Sequence, residues 1–121
     1  MALLKKIIKS DPREVIVKWT GSGTDTLTLA SLVQNGQTLT GVLSPAVNIL
    51  AVSTSQANGG AVTITRNAEV ALHVHDNYEF QTDGIISAIL NENSTFDIVV
   101  DLANTGTLIL RIKKMQGYSG I

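Results

Sequence analysis

In Thr107-Leu-Ile-Leu-Arg-Ile-Lys-Lys-Met115, the apolar residues Leu108, Leu110 and Ile112 alternate with Ile109, Arg111 and Lys113. A period of two sends successive side chains to opposite sides of an extended chain. The first set therefore faces a core, and Arg111 and Lys113 face outward. Glu14-Val-Ile-Val-Lys-Trp-Thr20 repeats the pattern, with Val15, Val17 and Trp19 on one face and Glu14, Ile16, Lys18 and Thr20 on the other. If these two strands neighbour each other, the domain has one basic face beside its termini.

The intervening sequence continues the cadence. Gly21-Ser-Gly23 reads as a turn, and Thr26-Leu-Thr-Leu-Ala30 as a strand. Asn35-Gly36 reads as a turn, and Gln37–Leu43 as a weak strand ended by Ser44-Pro45. Val47–Ser53 follows, and Asn58-Gly-Gly60 carries a hairpin signal, because Asn and Gly accept the positive φ of tight turns. Ala61–Thr65 and Glu69–His75 flank Arg66-Asn67-Ala68, with Val62, Ile64, Val70, Leu72 and Val74 inward. Asp76-Asn77 and Asp83-Gly84 bracket a short Tyr78–Gln81 strand; Ile85–Leu90 and the Asn91-Glu-Asn93 turn come next. Phe96, Ile98, Val100 and Leu102 form an inward row with Asp97 and Asp101 outward, and Asn104-Thr-Gly106 is read as the hairpin into the last strand.

Turn signals every 8–12 residues, with no helix long enough for a βαβ crossover, predict an all-β fold. The expected architecture is an antiparallel β-sandwich, jelly-roll-like, over residues 13–121. A chain of 121 residues supports one such domain. The absence of cysteine excludes disulfides and thiolate metal sites. No apolar run reaches the length of a membrane-spanning helix, and lysines interrupt the N-terminal apolar stretch where a signal peptide would need continuity. No membrane partner is expected.

Residues 1–12 read as an N-terminal arm ended by Ser10-Asp-Pro12. Leu3, Leu4, Ile7 and Ile8 would share one face of a helix, with Lys5, Lys6 and Lys9 on the other; an extended arm fits the same short run. The charge is divided along the chain. Residues 1–18 and 111–121 hold eight of the nine Lys and Arg with only Asp11 and Glu14, whereas residues 19–110 hold Arg66 and eight acids. Basic ends suit an acidic partner or acidic parts of a neighbouring copy; lysines also blunt a sheet edge against unwanted pairing.

Catalytic arrangements are sparse. His73-Val-His75-Asp-Asn-Tyr-Glu79 puts two imidazoles on one strand face with a carboxylate four residues on, and this spacing resembles the core of the first cupin motif. The flanking glycines of that motif are missing, and these are the only two histidines, so no second motif exists. The inward assignment of Val70, Leu72 and Val74 also puts His73 and His75 on the outer face. Asp97 and Asp101 lie about 13 Å apart along a strand, too far for a paired acid and base on a sugar. No nucleophile elbow or phosphate-cradling glycine loop is present. No cofactor and no enzymatic activity are expected. Aromatic residues make up 4% of the chain, leaving almost no stacking platform for nucleic acid.

Lys9-Ser-x-x-Arg-Glu-Val-Ile-Val-Lys18, Ile64-Thr-Arg-Asn67 and Leu108-Ile-Leu-Arg-Ile-Lys-Lys-Met-Gln-Gly-Tyr118 together resemble small virion structural proteins of tailed phages of the marine cyanobacterial type. Ala68 departs from the glycine expected after Arg66-Asn67. The resemblance implies a β-sandwich virion component made in a host cytoplasm, and supplies no catalytic residues. The resulting expectation is a decoration or cement protein on the capsid surface, homo-oligomeric and bound to the major capsid protein. Leu3, Leu4, Lys5, Lys6, Ile7, Ile8, Arg111 and Lys113 are the expected contact residues. A tail- or fibre-associated module binding a host receptor or glycan is the alternative, and a cupin-like metal-binding protein a remote one.

Overall fold

Seven strands carry the fold among the residues that the computed structural model describes, 3–34, 36–81 and 93–121. They are β1 (Leu4–Ser10), β2 (Glu14–Leu27), β3 (Ala46–Gln56), β4 (Ala61–Arg66), β5 (Glu69–His75), β6 (Tyr78–Gln81) and β7 (Ile98–Gln116). All pairings are antiparallel. The expected turn at Asp83-Gly84, the strand over Ile85–Leu90 and the start of the turn at Asn91 lie outside the described residues, as does Asn35.

The two longest strands, β2 and β7, run side by side and take part in both layers of a sandwich. The first half of β2 pairs with the second half of β7, from Glu14↔Lys113 to Gly21↔Gly106. There β1 and β3 flank them and β6 adds to β3, in the order β1-β2-β7-β3-β6. Beyond a register shift the pairing resumes from Gly23↔Leu102 to Leu27↔Ile98, where β4 joins β7 and β5 joins β4. The inward rows meet in one core: Val15, Val17, Trp19, Ile49, Val52, Leu108, Leu110 and Ile112 from the first layer, and Leu27, Val62, Ile64, Ile98, Val100 and Leu102 from the second. Alternation places all of these inside except the β3 pair, where a register shift between Ile49 and Ala51 lets Ile49 and Val52, of opposite parity, both face the core; their burial is the main stabilising term. The all-β sandwich expected from the sequence is the fold observed.

The transit between layers corrects two turn assignments. Gly21-Ser-Gly23 and Asn104-Thr-Gly106 are not hairpin turns but opposite sides of a bulge, where Ala103–Thr105 crowd against the single residue Ser22. The extra residues bend both strands into the second layer. Gly21 and Gly23 have φ of 116° and 124°, which glycine adopts without strain. Gly106 is required for another reason: a Cβ there would sit 2.1 Å from the Ser55 carbonyl oxygen on β3.

Asn58-Gly-Gly60 likewise does not make a hairpin. It is a short 3₁₀ turn with Asn58 at φ 54°, and it carries the chain from β3 in one layer to β4 in the other. Asn104 Nδ2 donates to the Ala57 carbonyl at 2.8 Å and ties this turn to the β7 bulge. Gln37–Leu43 is not a strand; only an isolated bridge pairs Leu39 with Tyr118. Leu29–Leu32 is a 3₁₀ turn burying Leu29 and Leu32 rather than the end of a strand.

β4 and β5 form the expected hairpin, and Asn67 and Ala68 both have positive φ, 53° and 59°. That is the type I′ pattern, adopted here with alanine in a place that favours glycine. A register shift beside it, between Ile64 and Thr65, rotates Val70 outward to 64% exposure while Leu72 and Val74 pack against the core. Val70 was expected inward, and the shift is the reason it is not. Phe96, expected in the inward row, precedes β7 and is 43% exposed.

Candidate functional site

The N-terminal segment is extended, and its helical alternative is set aside by its pairing. β1 lies antiparallel to β2 from Leu4↔Thr20 to Ser10↔Val15 with a bulge at Ile8. Asp11 closes the connection, its Oδ1 accepting from the amides of Arg13 at 2.8 Å and Glu14 at 2.6 Å. Residues 4–10 are thus the edge strand of the first layer rather than a detached arm. Every residue of β1 is exposed.

A strand splits the residues that a helix would have grouped. Leu4 and Lys6 pair with Thr20 and Lys18 and join the outer face, whereas Lys5 and Ile7 pair with Trp19 and Val17 and lie on the inner side of the edge. Leu3 packs against the core, and Ile8 occupies the bulge at 51% exposure.

On the outer face, strand register assembles rows across the layer. Lys6, Lys18, Ile109, Ser53 and Glu79 form one; Ile16, Arg111 and Ala51 form the next; Glu14, Lys113 and Asn48 a third. The small Ala51 and Ser53 leave a shallow groove of about 150 Å³ bordered by Ile16, Ile109, Arg111 and Glu79. The face therefore has an apolar centre and a rim rich in lysine. Ile16, Ile109 and Lys18 belong to it although they were not among the expected contact residues. Their outward parity was readable in the sequence; their adjacency required the register.

The cations on this face are not equivalent. Arg111 grips Glu14 with both prongs, Nε to Oε1 and Nη2 to Oε2, each at 3.0 Å. Lys9 Nζ lies 3.3 Å from Glu14 Oε1 and 3.6 Å from Asp11 Oδ2. Arg111 holds the Glu14 carboxyl below its ordinary value and is itself raised by that pairing. Asp11 is lowered mainly by the amides of Arg13 and Glu14. Arg111 thus clamps β2 to β7. Among the described residues Lys5, Lys6, Lys18 and Lys113 form no ion pair.

Lys114 does not belong to the exposed charge at all. Its alternation with Lys113 turns it inward to 2% exposure. Its Nζ donates to Gln37 Oε1 at 2.6 Å and to the Asp11 carbonyl at 3.0 Å, and sits 5.2 Å from the centre of the Tyr118 ring. Burial lowers its pKa. Gln37 Nε2 in turn donates to the carbonyls of Pro12 and Ser119, so this network joins the two ends of the described chain.

The second layer presents a different outer face. Thr24, Asp101, Thr63 and His73 form one row, and Thr26, Val99 and Thr65 the next. Thr24 Oγ1 donates to Asp101 Oδ1 at 2.9 Å, and Asp97 Oδ1 accepts from the Leu29 amide at 2.9 Å. Both aspartates are thus engaged in structural hydrogen bonds. His73 and His75 lie on this outer face, whereas Glu79 lines the groove on the other layer, so the cupin-like spacing does not become a three-ligand site. Among the described residues no group of three His, Asp or Glu side chains is placed to hold a metal. No described helix is long and apolar enough to cross a membrane.

No protein-family model matches the chain, and no curated protein matches it in sequence. Among solved structures it is similar to KdgF from a Halomonas species, at 9% identity and a TM-score of 0.41, over 94% of this chain and 80% of that one. It is also similar to a cupin domain from Bordetella pertussis Tohama I, at 8% identity and a TM-score of 0.40, over 94% of both chains. Similarity this low carries no argument about activity.

Proposed function

We propose that the chain is a structural protein of a tailed-phage virion, a decoration or cement protein that binds the outer capsid shell through the β1–β2–β7 face. The observation that supports this reading is the asymmetry between the two layers. One outer face combines an apolar groove at Ile16 and Ile109 with Lys6, Lys18 and Lys113, which form no ion pair among the described residues; the other carries threonines, Asp101 and the histidines, with Val99 and no lysine among the described residues. Apolar centres with polar rims are the anatomy of protein interfaces. The proposed partner is the major capsid protein, presenting acidic surface to these lysines, with copies of the chain arranged as a homo-oligomer. The role is non-enzymatic and needs no cofactor.

Because β1 is built into the sheet, charge reversal separates docking from folding better than removal of residues 1–9. Lys6→Glu combined with Lys18→Glu leaves the core untouched, and the variant is expected to lose at least tenfold in binding to shells lacking the protein. Undiminished binding by a folded variant contradicts the reading. The competing role, a tail- or fibre-associated adhesion module, predicts the copy number of the tail instead of that of the capsid subunit.

A further inference from the structure

His73 and His75 are i and i+2 on β5, so both imidazoles rise from the same side of the strand. Their ring centres are 5.1 Å apart. Two imidazoles sharing one tetrahedral ion at about 2.0–2.1 Å per nitrogen also have ring centres about 5 Å apart. Each ring is held through its Nδ1 to the neighbouring part of the chain. His73 Nδ1 is 2.8 Å from Thr63 Oγ1 on β4, and His75 Nδ1 is 3.3 Å from the Gly59 carbonyl just before β4. A carbonyl only accepts, so this contact calls for a proton on Nδ1 of His75, a tautomer whose lone pair is on Nε2. Thr63 Oγ1 accepts equally well from a protonated Nδ1 of His73. Among the described residues neither Nε2 has a hydrogen-bond partner. Anchoring of the distal ring nitrogen is how proteins orient imidazole ligands.

We propose that His73 and His75 form a two-point chelate on the exposed face of the second layer for a divalent ion that favours imidazole, such as Zn²⁺ or Ni²⁺, with water completing the coordination. The site is separate from the groove between Ile16 and Ile109 and does not depend on the role proposed for that face. Thr63 acts as a positioning residue. It touches His73 and not the ion.

Titration of the full chain with ZnCl₂, followed by calorimetry and by the imidazole Cε1–H resonances, tests this. The expected result is saturable binding of one ion per chain, tighter than about 1 mM, with both histidine resonances shifting together. His73→Ala and His75→Ala are each expected to weaken binding at least tenfold. Thr63→Val is expected to weaken it several-fold with an unchanged melting temperature, as loss of an orienting partner does. Both histidines are exposed, so the alanine variants keep the fold; His73→Gln provides a second form if one does not express. No saturable binding below 1 mM, or binding retained by the doubly substituted H73A/H75A chain, overturns the proposal.

Discussion

Arg66 is the residue whose role was least visible in advance. It is 1% exposed, and its guanidinium donates to the carbonyls of Val47, Ser94 and Phe96 at 2.8–3.2 Å. Burial lowers its pKa to about 10, so it remains charged at neutral pH. Arg66→Met would remove the guanidinium donor from the buried Val47 carbonyl and from the part-buried Phe96 carbonyl, while Ser94 keeps the Val47 amide, and is expected to destabilise by about 1–3 kcal/mol in urea unfolding. In the sequence Arg66 reads as part of the Arg66-Asn67-Ala68 link, whereas it is the last residue of β4 and continues the inward row of Val62 and Ile64; nothing local names its acceptors, which come from two distant segments. Ala68 illustrates the converse. Its departure from glycine was visible in the sequence, and at φ 59° it carries a left-handed strain of about 1 kcal/mol. Ala68→Gly is therefore expected to raise stability by about that amount, read from the same unfolding curves. Gly106→Ala is expected to do the opposite, costing about 1–3 kcal/mol through its collision with Ser55.

At the scale of elements, β4, β5 and β6 fall where alternation and turn residues placed them. The corrections fall on the segments around them: Gln37–Leu43 is not a strand, Asn58-Gly-Gly60 is not a hairpin, and two turn triplets lie inside β2 and β7. A Gly-Ser-Gly or Asn-Thr-Gly triplet signals a break in regular pairing, and the same signal serves a hairpin or an interior bulge. Which one forms is decided by long-range register, here the pairing of β2 with β7, which local sequence does not contain. The Glu14 clamp has the same origin, since Glu14 and Arg111 meet only because β2 lies against β7. Its linkage to pH follows from the lowered carboxyl. Glu14 has a folded pKa below its unfolded value, so its contribution is complete above the ordinary carboxylate range and is lost as pH falls through the lowered value. The pair is near the surface and worth up to about 1 kcal/mol. Stability measured from pH 6 down to pH 3 should therefore decline, and Glu14→Gln should make that decline shallower. An unchanged slope in the variant would show that the clamp contributes nothing.

For the whole molecule, the division of charge along the sequence becomes a division of surfaces. Antiparallel pairing brings both basic ends into one layer, while Asp101 and the histidines decorate the other. Part of the basic character is then spent internally: Lys114 is buried, and Arg111 and Lys9 answer Glu14. What remains outward is a small set of lysines around Ile16 and Ile109. This face, and not the threonine-rich one, is the surface proposed to dock on a capsid. Electron microscopy of the virion, resolving where the sandwich sits and which layer faces inward, tests it most directly. The expected result is density in the copy number of the capsid subunits, with the β1–β2–β7 face against the shell. A few copies at the tail, or shell-bound copies with that face turned to solvent, would contradict it.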